Sequence, residues 1–287
     1  VRYKATAASE YDSLLERHIV PFFGDLALSE ISAPDVQRFV AEQVKRGFAA
    51  RSVRNQLVVL RAVLRTAEAL GLVESNVAMK VKPPREHRKE QRFLTPAELS
   101  AVLASTPEAW KPLIAMPIYT AARKAEVIGL RWPQVSFKRR QVAFVRSMRS
   151  GAEYTVKTSS SRASVVMSEA LVPLLLARRE RCPDPDNGYV FCYADGRPLS
   201  DRTPNVQLTK ACGKAGIEPC TFHQLRHSAI AALISTGAHP KVVQEFARHS
   251  SIETTMDVYG HLLAPASSNA VGALNRLIAK GGGDVSE

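Results

Sequence analysis

Ser52–Leu70 reads SVRNQLVVLRAVLRTAEAL and is followed by Gly71. Val53, Leu57, Leu60 and Leu64 recur at i, i+3 and i+4, the spacing that gathers apolar side chains on one helical face. Gly71 is a helix stop, since glycine takes a left-handed C-terminal cap at little cost. Arg51, Arg54, Arg61 and Arg65 fall within roughly 80° of arc at 100° per residue, beside the apolar stripe. No acidic residue interrupts them before Glu68. Four like charges on one flank favour a partner that supplies negative charge, and a phosphate-tracking face is the reading adopted here. Helical pattern extends over about residues 9–78.

Downstream, Lys80–Arg92 (KVKPPREHRKEQR) holds a Pro-Pro pair and six basic side chains with little to bury, the composition of a linker. Two domains with a basic connection at 83–92 follow, which suits a chain of 287 residues. Thirty-nine Lys and Arg against 27 Asp and Glu give a net charge of +12, spread as +5 up to Arg92 and +7 beyond it. An excess on both sides favours a polyanion held by both halves. A membrane protein is excluded in this reading, because no apolar run nears the ~18–20 residues of a span. No signal peptide opens the sequence.

Cys182, Cys192, Cys212 and Cys220 form no C-x-x-C pair and are read as reduced thiols in a chain long enough to need no staples. Asp184, Asp186 and Gly188 resemble a calcium loop only loosely; the glycine comes one place early, and a turn is the better reading. His223 and His227 stand four apart, but the glutamate of H-E-x-x-H is missing and Arg226 adjoins them. No metal and no cofactor are assigned.

In the second half, Thr95-Pro96-Ala97-Glu98 marks a capped helix start, and helical pattern runs on through Leu130. Val135–Val145 and Tyr154–Met167 alternate as strands about Arg149-Ser150-Gly151, predicting a small antiparallel sheet. From Glu169 the chain reads as helical again. Three stretches carry chemistry: Thr120-Ala-Ala-Arg123-Lys-Ala-Glu126-Val-Ile-Gly-Leu130, His223-Gln-Leu-Arg226-His227, and His249-Ser-Ser-Ile-Glu-Thr-Thr-Met-Asp-Val-Tyr259. Lys157-Thr-Ser-Ser-Ser-Arg162 lies between the first two, at the end of a predicted strand.

These boxes, in this order, resemble the signature segments of the tyrosine recombinases, the phage-integrase family of site-specific DNA recombinases. His18-Ile-Val-Pro-Phe-Phe-Gly-Asp-Leu and Ser52-Val-Arg-Asn are similar to the family's core-binding helical domain. The resemblance covers nearly the whole chain. It implies a mainly α fold with a small antiparallel β-sheet: a helical, SAM-like core-binding domain over 1–82, the linker 83–92, and an α+β catalytic domain over 93–287. A C-terminal tail helix at about 265–280 carries Val271, Leu274, Leu277 and Ile278 as an apolar stripe. The two domains are expected to form a C-shaped clamp on DNA.

The implied reaction cuts and rejoins DNA through a covalent 3′-phosphotyrosine and a Holliday junction, with neither metal nor ATP. Arg123 and Arg226 would clamp the scissile phosphate, a task the guanidinium fork suits, and His249 would add a hydrogen bond. Tyr259 would be the nucleophile, Lys157 would protonate the leaving 5′ oxygen, and His223 would assist at the tyrosine hydroxyl. Glu126 would orient Arg123, and His227 would be a packed helper. His239 and His261 are read as structural. DNA contacts are assigned to Arg51, Arg54, Arg61, Arg65, Lys80, Lys82, Arg88, Lys89, Arg162 and Arg248.

Two positions depart from the family pattern. Ala121 and Arg248 stand where glycines are common, before Arg123 and His249; Arg248 would strain its turn or contact DNA. Double-stranded DNA carrying attachment or recombination sites is the expected partner. A homotetramer would assemble on it, its tail docking in trans or in cis, with a directionality factor or DNA-bending protein in support. The expected setting is cytoplasmic, with the bacterial nucleoid or in the host cell of a phage, and the role is integration or excision of a phage or mobile element. A non-catalytic DNA-binding regulator on the same scaffold and a type IB topoisomerase-like nicking-closing enzyme are the alternatives.

Overall fold

The computed structural model describes residues 5–86, 92–155 and 164–263. The chain separates into two compact units, Val1–Glu90 and Gln91–Glu287. Among the described residues no helix is long and apolar enough to cross a membrane.

Among its described residues, the regular structure of the first unit is all helical. Helix α1 (Ala5–Leu14) passes through a π-helical turn at Leu15–Ile19 into the short α2 (Val20–Phe23), and α3 (Ala33–Lys45) and α4 (Ala50–Ala69) follow. Ser32 caps α3, its hydroxyl and the Asp35 carboxylate exchanging hydrogen bonds with each other's backbone amides. The apolar stripe of α4 faces inward: Val53, Leu57, Leu60 and Leu64 are buried with Phe23, Val36, Phe39 and Val40. Each such side chain contributes roughly 1.5–3 kcal/mol by leaving water. Phe22, Phe23 and Phe39 meet with ring centroids 4.7–5.3 Å apart.

Arg61 corrects the sequence reading. Instead of pointing at a ligand, its Nε and Nη2 donate to the carbonyls of Ala78 and Val81 at 3.1 and 2.6 Å. Asn76 returns a bond to the Arg61 carbonyl at 2.8 Å, so Arg61 fastens the 3-10 turn Val77–Lys80 to α4.

The second unit is built around two buried helices. These are α6 (Lys111–Thr120), whose Leu113, Ile114, Ala115 and Met116 are fully enclosed, and α10 (Phe222–Ser235). Around them stand α5 (Pro96–Ala104), α7 (Lys124–Ile128), α8 (Leu171–Glu180), α9 (Thr203–Lys214), α11 (Pro240–Ala247) and α12 (Ile252–Leu263). Thr95 caps α5 in a reciprocal pair with Glu98, as its sequence indicates. The helical stretch expected through Leu130 is interrupted, because Ala121 takes a left-handed conformation (φ 49°) and ends α6.

Among the described residues the β-structure is antiparallel, as expected, and forms two small sheets. Strands β1 (Val135–Ser136), β2 (Gln141–Ala143) and β5 (Ser164–Val166) pair in the order β1-β2-β5. Strands β3 (Arg146–Arg149) and β4 (Ala152–Thr155) form a separate hairpin about Ser150-Gly151, both at positive φ. That hairpin lies close against the end of α7. A Cβ on Gly129 would sit 3.1 Å from the backbone of Ser147 and Met148, so any larger residue would push the hairpin away slightly.

The four cysteines are free thiols in two neighbouring pairs, Cys182 with Cys192 at 3.9 Å and Cys212 with Cys220 at 3.6 Å. Asp184–Gly188 is the expected turn, with Asp184 accepting from the amides of Asn187 and Gly188.

Candidate active site

Helix α10 is the spine of the site. Thr221 caps it, its Oγ1 accepting from the Gln224 amide at 3.2 Å while Gln224 Oε1 accepts from the Thr221 amide at 2.9 Å. Spacings of three and four residues then place His223, Arg226 and His227 along one side. Arg226 is 1% exposed, among the largest fully buried side chains in the molecule.

Its anchoring runs through the turns at both positions that depart from the family pattern. Ala121 and Arg248 are the left-handed caps of α6 and α11, with φ of 49° and 53°. At these two turns the carbonyls of Ala121 and Ala247 accept from Nη1 and Nη2 of Arg226. Both positions need a positive φ, and here Ala and Arg supply it without glycine, at a cost of about 1 kcal/mol each.

Arg123 ends the interruption after α6 and is the N-cap of α7. Glu126, 3% exposed, sits three residues on and holds it twice: Oε2 accepts from the Arg123 amide at 2.9 Å and Oε1 from its Nη1 at 2.8 Å. Arg248 reaches the same carboxylate, donating from Nη2 to Oε2 at 2.7 Å. The guanidinium of Arg248 also lies 4.3 Å from the centre of the Phe144 ring. Only 2% of Arg248 is exposed, so the assignment of a DNA contact to it is corrected. A side chain enclosed by Glu126 and Phe144 does not face a ligand in solvent.

His249, half-buried, is oriented by Thr255, whose Oγ1 stands 2.9 Å from Nδ1. That leaves Nε2 as the nitrogen able to act on a bound oxyanion. Tyr259 is completely buried; its hydroxyl meets Nδ1 of His227, and Phe93 packs on its ring at 5.9 Å. The sequence reading gave the tyrosine hydroxyl to His223. In the structure His227 occupies that place, and His223 packs edge-on against His227 with centroids 4.2 Å apart.

Three guanidinium groups and one carboxylate therefore share this region. Burial, followed by the neighbouring Arg123 and Arg248, pushes Arg226 down to about 9. Burial lowers His227 to about 4, helped by His223 and Arg226, and lowers His249 to about 4, helped by Arg226 and Arg123. Burial also lowers His223, helped by Arg226 and Arg123. Burial raises Tyr259, with Arg226 opposing. Burial leads every one of these shifts, and the neighbouring positive charge adds to it at the arginine and the histidines but opposes it at Tyr259. Among the described residues, no three His, Cys, Asp or Glu side chains gather into a metal-binding group.

Lys157, Arg162, Arg88, Lys89 and the tail 265–280 lie outside the described residues. Of the remaining basic residues singled out from sequence, Arg51, Arg65, Lys80 and Lys82 are exposed and Arg54 is half-buried. Arg51 and Arg54 approach Glu86 at 3.9 and 3.4 Å. Thr255 and Phe144 are site residues that sequence reasoning missed. Thr255 had a signal, lying six residues after His249 and four before Tyr259; Phe144 had none.

The chain belongs to the phage integrase family, the tyrosine recombinases: the family model matches residues 92–265. The phage integrase N-terminal SAM-like domain matches residues 1–43. Among curated relatives, the ICEBs1 integrase of Bacillus subtilis is 24% identical over 87% of this chain and 72% of its own length. The tyrosine recombinase XerC of Bacillus pumilus is 26% identical over 91% of this chain and 87% of its own. The fold is similar to that of the Tn1549 transposon integrase in complex with transposon right end DNA, with a TM-score of 0.80 at 18% identity over 96% and 95% of the two chains. It is also similar to a lambda integrase dimer bound to a COC′ core site, with a TM-score of 0.70 at 17% identity over 89% of each.

Proposed function

We propose that this protein is a site-specific DNA recombinase that integrates or excises a phage or other mobile element, breaking and rejoining strands through Tyr259. The observation that carries the reading is the convergence on one tyrosine and its surroundings of buried Arg226, Arg123 held by Glu126, and His249 oriented by Thr255. Attack on a phosphodiester accumulates negative charge on its non-bridging oxygens. Fixed donors aimed at such charge are usually the largest contribution to catalysis. Arg123 fits that role as it stands, Arg226 fits it once the rearrangement that frees Tyr259 uncovers it, and Nε2 of His249 adds a third donor.

In the proposed step the Tyr259 oxygen forms a bond to phosphorus and the bond from phosphorus to the 5′ oxygen breaks. The tyrosine proton passes to a histidine, and Nδ1 of His227 is the nitrogen at the hydroxyl. Lys157 gives a proton to the departing 5′ oxygen. A neutral histidine is the form able to accept, and the lowered pKa keeps His227 neutral near pH 7. Tyr259 is fully enclosed, so α12 shifts before its oxygen reaches a phosphate.

Because the 3′-phosphotyrosine preserves the energy of the phosphodiester, religation by a second 5′ hydroxyl needs neither ATP nor a metal. Exchange between two duplexes through a Holliday junction requires four protomers, which the tail at 265–280 would link. The DNA-bound state of the Tn1549 and lambda integrases supports double-stranded DNA as the partner. The 1–82 domain and 93–287 domain would both hold the duplex, with Arg51, Arg54, Arg65, Lys80 and Lys82 on its phosphates.

Selection of a preferred duplex from a random pool, then incubation of wild type and Tyr259→Phe with that duplex in chelator, tests the proposal. Wild type should cleave and recombine, while the variant binds equally and does neither. Binding without cleavage by wild type would favour a regulator. Relaxation of supercoils lacking the selected site would favour a nicking-closing enzyme.

A further inference from the structure

Arg248 remains unexplained by the reaction as written, and it is held at two costs. Its backbone is left-handed at a position that suits glycine, and its charged side chain is wholly buried. Nε and Nη1 have no hydrogen-bond partner. What the side chain does reach is the carboxylate that also grips Arg123. Glu126 therefore faces two guanidinium groups. That of Arg248 is fully enclosed, whereas the Arg123 side chain is 39% exposed and is the one of the two that can meet an incoming anion.

We infer that Arg248 is a positioning residue for strand cleavage, acting by taking up the charge of Glu126 so that the charge of Arg123 stays available to the scissile phosphate. Facing Glu126 alone, Arg123 would form a one-to-one pair, neutral at the distances a phosphate sees. With Arg248 in place, the carboxylate keeps its hydrogen bonds to Arg123, and hence its geometry, while the group as a whole retains a net positive charge. The orientation of Arg123 and its charge are thus set by two different residues. This inference rests on the strand-cleaving reading above.

Eight proteins test it: wild type, Arg248→Lys, Arg248→Gln and Arg248→Gly, each with Glu126 intact and with Glu126→Gln. Equilibrium binding to the selected duplex and the single-turnover rate of covalent adduct formation at saturating protein are measured for each. Gly suits the left-handed backbone, and a melting curve for each variant separates loss of folding from loss of rate. Lys should keep the rate within about three-fold, whereas Gln and Gly should lower it about ten-fold or more, with binding little changed. In the Glu126→Gln background, where no charge remains to be taken up, loss of Arg248 should cost less than about three-fold.

Equal losses for Lys and the neutral variants, or an undiminished loss in the Glu126→Gln background, would overturn the inference and leave Arg248 as a structural tie between α11 and α7. Failure of wild type itself to form an adduct would instead remove the strand-cleaving reading, and the inference with it.

Discussion

Arg226 shows how a single side chain sets the requirements on its surroundings. A guanidinium buried among carbonyls must find acceptors, and it does so at the two turns where α6 and α11 end in left-handed residues. Glu126 meets the same demand for Arg123 and Arg248. Replacing it with Ala leaves two cations without their partner, one of them enclosed, and should destabilise the second unit by about 3–5 kcal/mol. A lowered urea midpoint at unchanged slope is the expected result. The histidines add a pH dependence. His227 and His249 titrate near 4 in the folded chain, against 6.5 when free. Between those values the unfolded chain binds protons that the folded one does not, so stability is full above 6.5 and falls as pH drops. The melting temperature should decline from pH 7 to pH 5, and less steeply in His227→Asn; a flat or rising profile would contradict these assignments. At this scale the residues proposed to react stood out in the sequence, because Arg123, Arg226, His249 and Tyr259 stand in short boxes whose order resembles the family's. Arg61 and Arg248 were misread for a common reason. A helical arc or a turn position places a charge in the sequence, but not the carbonyl or carboxylate that a long side chain finds across the fold.

At the scale of elements, α10 and the β3–β4 hairpin matter most. Loss of the cap in Thr221→Ala should cost about 1 kcal/mol and a few degrees of melting temperature. The hairpin is fastened through Glu153. Its carboxylate accepts from Arg131 at 3.0 Å and from the Tyr189 hydroxyl at 2.9 Å, and it also pairs with Arg146. The turn is held by Asp201, which accepts from the Ser150 amide at 2.7 Å. Glu153→Gln should quicken amide exchange in Arg146–Thr155 while leaving α6 and α10 protected; unchanged exchange there would show that the ties contribute nothing. Helix existence was plain in the sequence where a cap opened the helix, as at Thr95, and where a long apolar period ran, as along Ser52–Leu70. The break at Ala121 was not, because nothing in Thr120-Ala-Ala-Arg123 differs from ordinary helical composition. Likewise the strand pattern about Ser150-Gly151 showed pairing, but not that the hairpin stands apart from the β1-β2-β5 sheet. The hairpin packs against Gly129, a contact that the strand pattern alone does not disclose.

For the whole molecule, the charge distribution is the property that composition disclosed most directly. Both halves carry a positive excess, and most of it lies outside the group that surrounds Tyr259. Affinity for duplex should therefore fall steeply with salt. If six to ten phosphates are contacted, the slope of log affinity against log salt is roughly −5 to −9. Replacing exposed Arg65 and Lys82 together should make it shallower by about 1–2 without altering sequence preference. An unchanged slope would remove those two side chains from the interface. The tyrosine is the point at which the account is most exposed, since its hydroxyl is enclosed beside His227 and still has to become the nucleophile. Wild type is incubated with a nicked suicide duplex in chelator, the adduct is digested, and the nucleotide-bearing peptide is identified by mass. The account predicts one linkage, a 3′-phosphodiester to the oxygen of Tyr259, absent in Tyr259→Phe. An adduct on any other residue, or cleavage that leaves no adduct, would contradict it.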